Sequence, residues 1–535
     1  MFKGLGLLLL LSAAVASFPS SHTDAYEGQR FVATFSGYNS PQPRNNILDL
    51  IFIPIGGKSV LVTITYFSLK TNNVTQILVN TPQDGSASKQ KMSYNDVVTD
   101  NLNFMNALNS VPDSRIMITA SDPIKVVSSY LNANIALNKN PVGDAFLVPG
   151  VQMAGNTYVV RMPKALVDQV QLISIVSIDK TATGSIRSYS NGKDNNDKVP
   201  FVLKSAPGSD QQTYVGDADG VDRVFYIESN QPIVVTVTVT CADLSFASGK
   251  AAGLKGDTCD FVSYVASPIG QYDCASVLSA PETRVITSAY TGSVYDAPFD
   301  SCHNALGVTV VNDANPTNGA NDQLLSHVGN AYPLDGVKVT ELGVESVNTF
   351  TSMARVGVIR DIATKNVINS LFMSYVPETT QYQTGPTKFY TFSDNNILEV
   401  YGMNLDATTF QLDNIKMTDD KIEKVKLNLF NNIFSSYIIQ IPTQGIHTFS
   451  CGGNYIAYAI GSIEGTSTSQ YGYLTGYGKT LITTKSTAPV TPEGNGPITD
   501  APPTPSPLAT TTKSGYIVQG SLLTMIGVAV FGMNL

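Results

Sequence analysis

The sequence predicts an all-β protein: tandem β-sandwich-like modules with long loops, followed by a disordered Thr/Pro-rich C-terminal stalk. Three observations predict it. Apolar and polar residues alternate with a period of two through the middle of the chain. Pairs of turn-forming residues separate the alternating runs. Only 14% of residues are charged, against about a quarter in a typical domain, so Ser, Thr, Asn, Gln and Tyr must cover the surface, as suits an extracellular β protein.

The clearest strand is residues 233–241. Ile233, Val235, Val237, Val239 and Cys241 fall on one face and Thr236, Thr238 and Thr240 on the other, the pattern of a half-buried strand with the Cys241 sulfur on the core side. Residues 60–67 alternate likewise after a Gly56-Gly57 turn. Further strands are expected at 172–177, 307–311, 425–430, 437–441 and 455–460, with turns at Asn191-Gly192, Pro207-Gly208 and Asn318-Gly319. Residues 101–108 offer the best amphipathic helix, and a poor one.

An internal similarity sets the module size. Ile118-Thr-Ala-Ser-Asp-Pro-Ile-Lys-Val126 parallels Ile227-Glu-Ser-Asn-Gln-Pro-Ile-Val-Val235, each preceded by an arginine, Arg115 and Arg223. Pro123 and Pro232 lie 232 − 123 = 109 residues apart, about one sandwich module. A looser echo at 448–460 puts Cys451-Gly-Gly-Asn in the turn before the strand. In each copy a turn should feed an apolar strand, with proline at the strand's first residue, where no ladder donor is needed. The expected division is a β-module at 25–140, a second at 141–245, a Cys-containing segment at 246–330 and a C-terminal β-module at 331–480.

Both ends point to the secretory pathway. Lys3, the apolar run from Leu5 to Val15 and small residues for cleavage after Ala16 or Ser17 make residues 1–17 a signal peptide. Residues 484–512 read as the stalk, extended and open to O-glycosylation. Residues 516–535 carry no charge and no Lys or Arg follows. A membrane span needs about 20 apolar residues and flanking cytoplasmic cations. Replacement by a GPI anchor at Ala509 is therefore the first expectation and a single-pass helix the second. Both place the protein on the extracellular face of the plasma membrane.

Five cysteines occur in an oxidising setting. Cys241, Cys259, Cys274 and Cys302 are the disulfide candidates, with all three connectivities open, and Cys451 is left over. No CxxC spacing supports zinc. A net charge of −9 without a basic cluster argues against nucleic acid.

Three stretches resemble the IgGFc-binding protein N-terminal domain family. Asp144-Ala-Phe-Leu-Val-Pro-Gly150 with Ala154-Gly-Asn-Thr-Tyr-Val-Val160 is similar to that family's D-x-FLVLPV…LGTEYYV run. Ser370-Leu-Phe-Met-Ser-Tyr-Val-Pro-Glu-Thr-Thr-Gln381 is similar to its DPFMTLVPPIEQ. Gly445-Ile-His447, followed by Tyr471-Gly-Tyr-Leu-Thr-Gly476, is similar to its closing G-x-H…YGYPAG. The departure is Val148-Pro149-Gly150, where the family has Leu-Pro-Val. The resemblance implies an extracellular β-domain of mucus-associated and cell-surface proteins, with an adhesive or barrier role and no chemistry of its own.

Residue chemistry agrees with that expectation. His22, His303, His327 and His447 stand outside any HExxH, and no nucleophile elbow, Walker loop or dinucleotide fingerprint occurs. No cofactor is expected. Asp217-Ala-Asp219-Gly-Val-Asp222 offers three hard-oxygen ligands to Ca²⁺, but lacks the further acidic ligand of an EF-hand and reads first as a solvated hairpin loop. Asn73-Val-Thr75 is the N-glycosylation sequon. The expected function is therefore a non-enzymatic surface protein of adhesive, barrier or host-defence type, whose partners are extracellular glycans or proteins and microbial surfaces. The alternatives are a glycan hydrolase using Asp217 and Asp219 and a single-pass receptor ectodomain.

Overall fold

The computed structural model describes residues 26–486, apart from 38–45, 133–140, 218–222, 244–258, 271–275, 279–280, 300–305, 325–328, 335–337, 361–366, 464–468, 480–483 and a few single or paired positions. Nearly every element is a strand, and all pairings are antiparallel.

The first module uses β1 (Gly28–Ala33), β2 (Asn46–Pro54), β3 (Leu61–Ser68), β4 (Asn73–Asn80) and β5 (Ser88–Met92). After the single helical turn α1 (Tyr94–Val97) and β6 (Ala107–Val111) come β7 (Ile116–Asn132) and β8 (Val142–Val148). The long strand β7 serves two sheets in turn. From Ile116 to Ala120 it runs between β1 and β3, and from Ile124 onward between β2 and β8. With β4 beyond β3 and β5 beyond β2, the result is a sandwich of two four-stranded sheets joined through one strand.

The second module repeats this plan. Its strands are β9 (Gly155–Arg161), β10 (Val170–Ser177), β11 (Ala182–Ser190), β12 (Lys193–Asp194), β13 (Val199–Leu203), β14 (Gln211–Asp217), β15 (Arg223–Asp243) and β16 (Cys259–Val265). β15 runs first between β9 and β11, then between β10 and β16. Registers coincide as well: Ile118 faces Phe31 and Ile64, while Ile227 faces Tyr158 and Ile186.

Two further copies follow, although only a loose echo of one of them is visible in the sequence. The third comprises β17 (Ser276–Leu278), β18 (Glu282–Thr287), β19 (Thr291–Phe299), β20 (Leu306–Asn312), β21 (Asn315–Leu324), β22 (Asn330–Pro333), β23 (Glu341–Val347), β24 (Phe350–Arg360) and β25 (Val367–Tyr375). Here the long strand is cut in two: β23 lies between β18 and β20, and β24 between β19 and β25. The fourth comprises β26 (Thr387–Thr391), β27 (Asn396–Met403), β28 (Gln411–Leu412), β29 (Ile415–Lys416), β30 (Ile422–Val425), β31 (Phe434–Ile441), β32 (Gly445–Ser450), β33 (Asn454–Ser462) and β34 (Gln470–Leu474). β32 and β33 are its divided long strand, flanked by β26 and β28 and then by β27 and β34. A short β35 (Thr484–Ser486) pairs with β17.

The register gives the repeat a residue signature. Apolar residues six positions apart bracket the change of sheet in each copy: Ile118 and Ile124, Ile227 and Ile233, Val344 and Phe350, Phe449 and Tyr455, all buried. Four residues further on, the final strand of each module sets a buried aromatic opposite: Phe146, Tyr264, Tyr375 and Tyr473.

Several expectations need correction. Pro123 and Pro232 do not follow a turn. They sit mid-strand, in the gap between the two ladders, where a missing N–H breaks no pairing. The borders near 140 and 245 fall one strand short, because β8 and β16 belong to the preceding modules and the long connections before them look like linkers. The Cys-containing segment is accordingly shared between modules two and three. β6 takes up the end of the expected 101–108 helix, of which 101, 103 and 104 lie outside the described residues, and pairs with β14, so a strand from module one edges a sheet of module two. Asn318-Gly319 lies within β21, and 425–430 gives way to β30 and a 3-10 turn at Phe430–Asn432. The start of the expected stalk is β35. Strand 233–241 is buried on both faces, since Thr236 bonds Thr34 of module one and Thr238 bonds Ser263.

The four final strands close a ring. β8 packs on β16 and β34, and β25 packs on the same two. Asp144 and Asp260, both fully buried, tie three of these strands together. The Asp144 carboxylate accepts N–H bonds from Ser263 and Met373, and that of Asp260 from Gly143 and Leu371, with Ser370 Oγ donating as well. Burial raises both carboxyl pKa values well above the usual aspartate range, against the pull of those donors. Module four meets module one where Lys125 Nζ, fully buried, donates to Thr387 Oγ1 at 2.7 Å and the Thr475 carbonyl at 2.8 Å, with Glu27 at 3.6 Å.

Candidate functional site

Where each module's final strand ends, a short irregular segment leads on: 149–154, 266–270, 376–382 and 475–479. These equivalent segments converge at one end of the ring and enclose a cleft of about 340 Å³. One wall is Met153, Ala154 and the start of β9 at Gly155, Asn156 and Thr157. The facing wall is 267–270, and Gln381 and Lys479 close the end. Inward, the cleft adjoins a narrow void floored by Tyr158, Val234, Val265 and Tyr477.

The walls are fixed by their own bonds. Tyr158 Oη accepts from the Gly155 N–H and donates to the Ile233 carbonyl at 2.6 Å. The Ile269 N–H donates to the Thr157 carbonyl, which holds the two walls at a set spacing. A Cβ on Gly155 would come within 2.4 Å of Pro268, so this approach requires glycine. Gln381 is fully engaged: its side chain accepts from the Glu378 N–H and Tyr375 Oη and donates to the Gly478 carbonyl. Tyr477 packs on Tyr26 at 4.4 Å and on Tyr375 at 5.1 Å between centroids, and burial raises its phenol pKa far above 10.

Two side chains keep polar capacity toward the cleft. Asn156 uses Nδ2 on the Ser229 carbonyl, and no described bond engages its Oδ1. Lys479 is exposed at the rim and is the only charged residue among the described lining residues. Among the described lining residues there is no carboxylate, imidazole or thiol. What they offer is hydrogen bonding, one positive charge and apolar wall surface.

The sequence-predicted residues lie elsewhere. Asp217 ends β14, and Asp219 and Asp222 lie outside the described residues; among the described residues no group of three or more His, Cys, Asp and Glu is placed to hold a metal. Asn73 opens β4 and is exposed. Cys241 is buried and disulfide-bonded, with no partner sulfur among the described side chains; Cys259 begins β16, while Cys274 and Cys302 lie outside the described residues. Cys451 is a free thiol whose pKa burial pushes up to about 12. His447 is buried in β32, and His22, His303, His327, the signal peptide, Ala509 and the 516–535 tail lie outside the described residues. No helix among the described residues is long and apolar enough to cross a membrane.

Three of the stretches that carry the family resemblance, 144–150, 370–381 and 471–476, prove to be the final strand and following segment of modules one, three and four. The chain matches no family model, no curated protein and no solved structure. Sequence reasoning missed the cleft because its lining comes from four distant segments, none with a chemical motif. The one available signal was the recurring aromatic-then-Pro/Gly ending of Phe146, Tyr264, Tyr375 and Tyr473.

Proposed function

We propose that this is a non-enzymatic extracellular surface protein, delivered by a signal peptide and held at the membrane by its C-terminal end, with an adhesive, barrier or host-defence role toward glycans, mucus or microbial surfaces. The observation that carries the reading is the closed ring of four like sandwiches. Such a body presents many short loops from a rigid support, as binding scaffolds do, and its described cleft has recognition groups in place of acid–base ones. The low charge, the exposed sequon asparagine and the three family-like motifs support it, and the resemblance supplies the adhesive role.

The test is display of the full chain on cells, followed by phosphatidylinositol-specific phospholipase C. Release into the medium is expected, together with binding of the released protein on an array of glycans and bacterial surfaces. Retention on the cells after treatment would sink the lipid-anchor part of the reading, and a blank array would sink the adhesive part.

A further inference from the structure

We infer that the cleft at the end of the four-module ring is a subsite for a carboxylate-bearing sugar. This rests on the adhesive reading and names its ligand chemistry. Three features of the lining carry it. Lys479 is the single charge among the described lining residues and is exposed, so a ligand anion gains an ammonium partner and meets no carboxylate among them. Asn156 has its amide N–H on the Ser229 carbonyl and is left with an oxygen that accepts, as a sugar hydroxyl requires. Met153 on one wall and Pro268 and Ile269 on the other supply apolar surface against which the C–H face of a pyranose can lie.

The size agrees. A cavity of about 340 Å³ is at the small end of ligand pockets and suits one or two sugar rings rather than a folded partner. Preformation agrees too, since Gln381 and the Thr157 carbonyl are held by protein bonds and the walls do not need to be ordered by the ligand. An extended neutral peptide would leave Lys479 without a partner. A phosphate would leave the apolar wall surface and the Asn156 oxygen unused.

The experiment titrates the full-length protein with N-acetylneuraminyl-lactose and with plain lactose, by calorimetry or saturation-transfer NMR. The acidic trisaccharide should bind up to about fivefold tighter than lactose, the scale of an exposed ion pair. Lys479→Gln, at an exposed position, should bring the trisaccharide down to the lactose level, and Asn156→Ala should weaken both sugars alike. Equal affinity for the two sugars, no trisaccharide binding, or an unchanged Lys479→Gln variant would each overturn the inference. If the array finds other glycans whose binding ignores both substitutions, the adhesive reading survives and the cleft assignment falls.

Discussion

His447 shows how much one buried side chain can constrain the fourth module. Its Nε2 lies 2.9 Å from the Thr443 carbonyl, which can only accept, and its Nδ1 lies 2.9 Å from Asp413 Oδ2. An imidazole that donates through both nitrogens is an imidazolium. Burial works against that charge, but the bonds to Asp413 and Thr443 outweigh it and hold the histidine pKa above 6.5. Asp413 is likewise partly desolvated, yet the His447 and Thr448 donors keep its carboxyl below 3.8. The signs then follow. The histidine contribution is complete below about 6.5 and is lost as pH rises through its raised folded value, while the Asp413 contribution is lost as pH falls through its depressed one. Thermal midpoints recorded from pH 4 to 9 should therefore decline on the alkaline side, and His447→Gln should flatten that decline. Superimposable profiles for the two proteins would show that His447 is neutral in the fold.

At the scale of the element, the final strand of each module is the least replaceable piece, and β8 tests this. Gly143 sits where a Cβ would meet the Tyr130 carbonyl oxygen at 2.3 Å and the Leu131 Cα at 3.0 Å, both backbone of the long strand and unable to turn aside. Gly143→Ala should cost about 1–3 kcal/mol, read from urea midpoints, whereas Gly57→Ala, with nothing within 4 Å, should stay within about 0.5 kcal/mol. Equal effects would mean that β8 shifts freely. The sequence makes this strand harder to see than the one before it. Period-two alternation finds the long strands, because Val235, Val237 and Val239 line one face, and the Pro123/Pro232 spacing finds the first duplication. The third copy escapes that search because Val344 to Phe350 carries no proline and the strand is cut at 348–349. Alternation also assumes a wet face, so the burial of Thr236 against module one and of Thr238 against Ser263 could not be read locally. The cleft is further still from view. Asn156 and Lys479 are 323 positions apart (479 − 156) and acquire a common purpose only when the ring closes.

For the whole molecule, closure is the property that separates this architecture from beads on a string. In an open array each sandwich would touch only its neighbours and could unfold alone. Here Asp144 in module one receives N–H bonds from module two at Ser263 and module three at Met373. Lys125 and Lys388 close the seam between modules one and four, the latter through the Pro54 carbonyl. Removing Asp144 leaves two buried N–H groups in other modules without an acceptor, each costing about 1–3 kcal/mol. Removing the Lys125 ammonium takes the donor from Thr387 Oγ1, leaves the Thr475 carbonyl with only its 3.3 Å bond from Thr387 Oγ1, and takes the facing charge from Glu27. Calorimetry of the full chain should accordingly give one main endotherm for the wild type. Asp144→Ala and Lys125→Met should lower it and divide it, since each uncouples a different seam of the same ring. Arg30→Ala, which removes only the exposed pair with Asp179, should leave it in place, as surface pairs contribute about 0–1 kcal/mol. A wild-type trace already split into four, or an undivided and unshifted Asp144→Ala trace, would mean that the modules fold independently. In that event the cleft at their junction would lose the rigidity on which its selectivity depends.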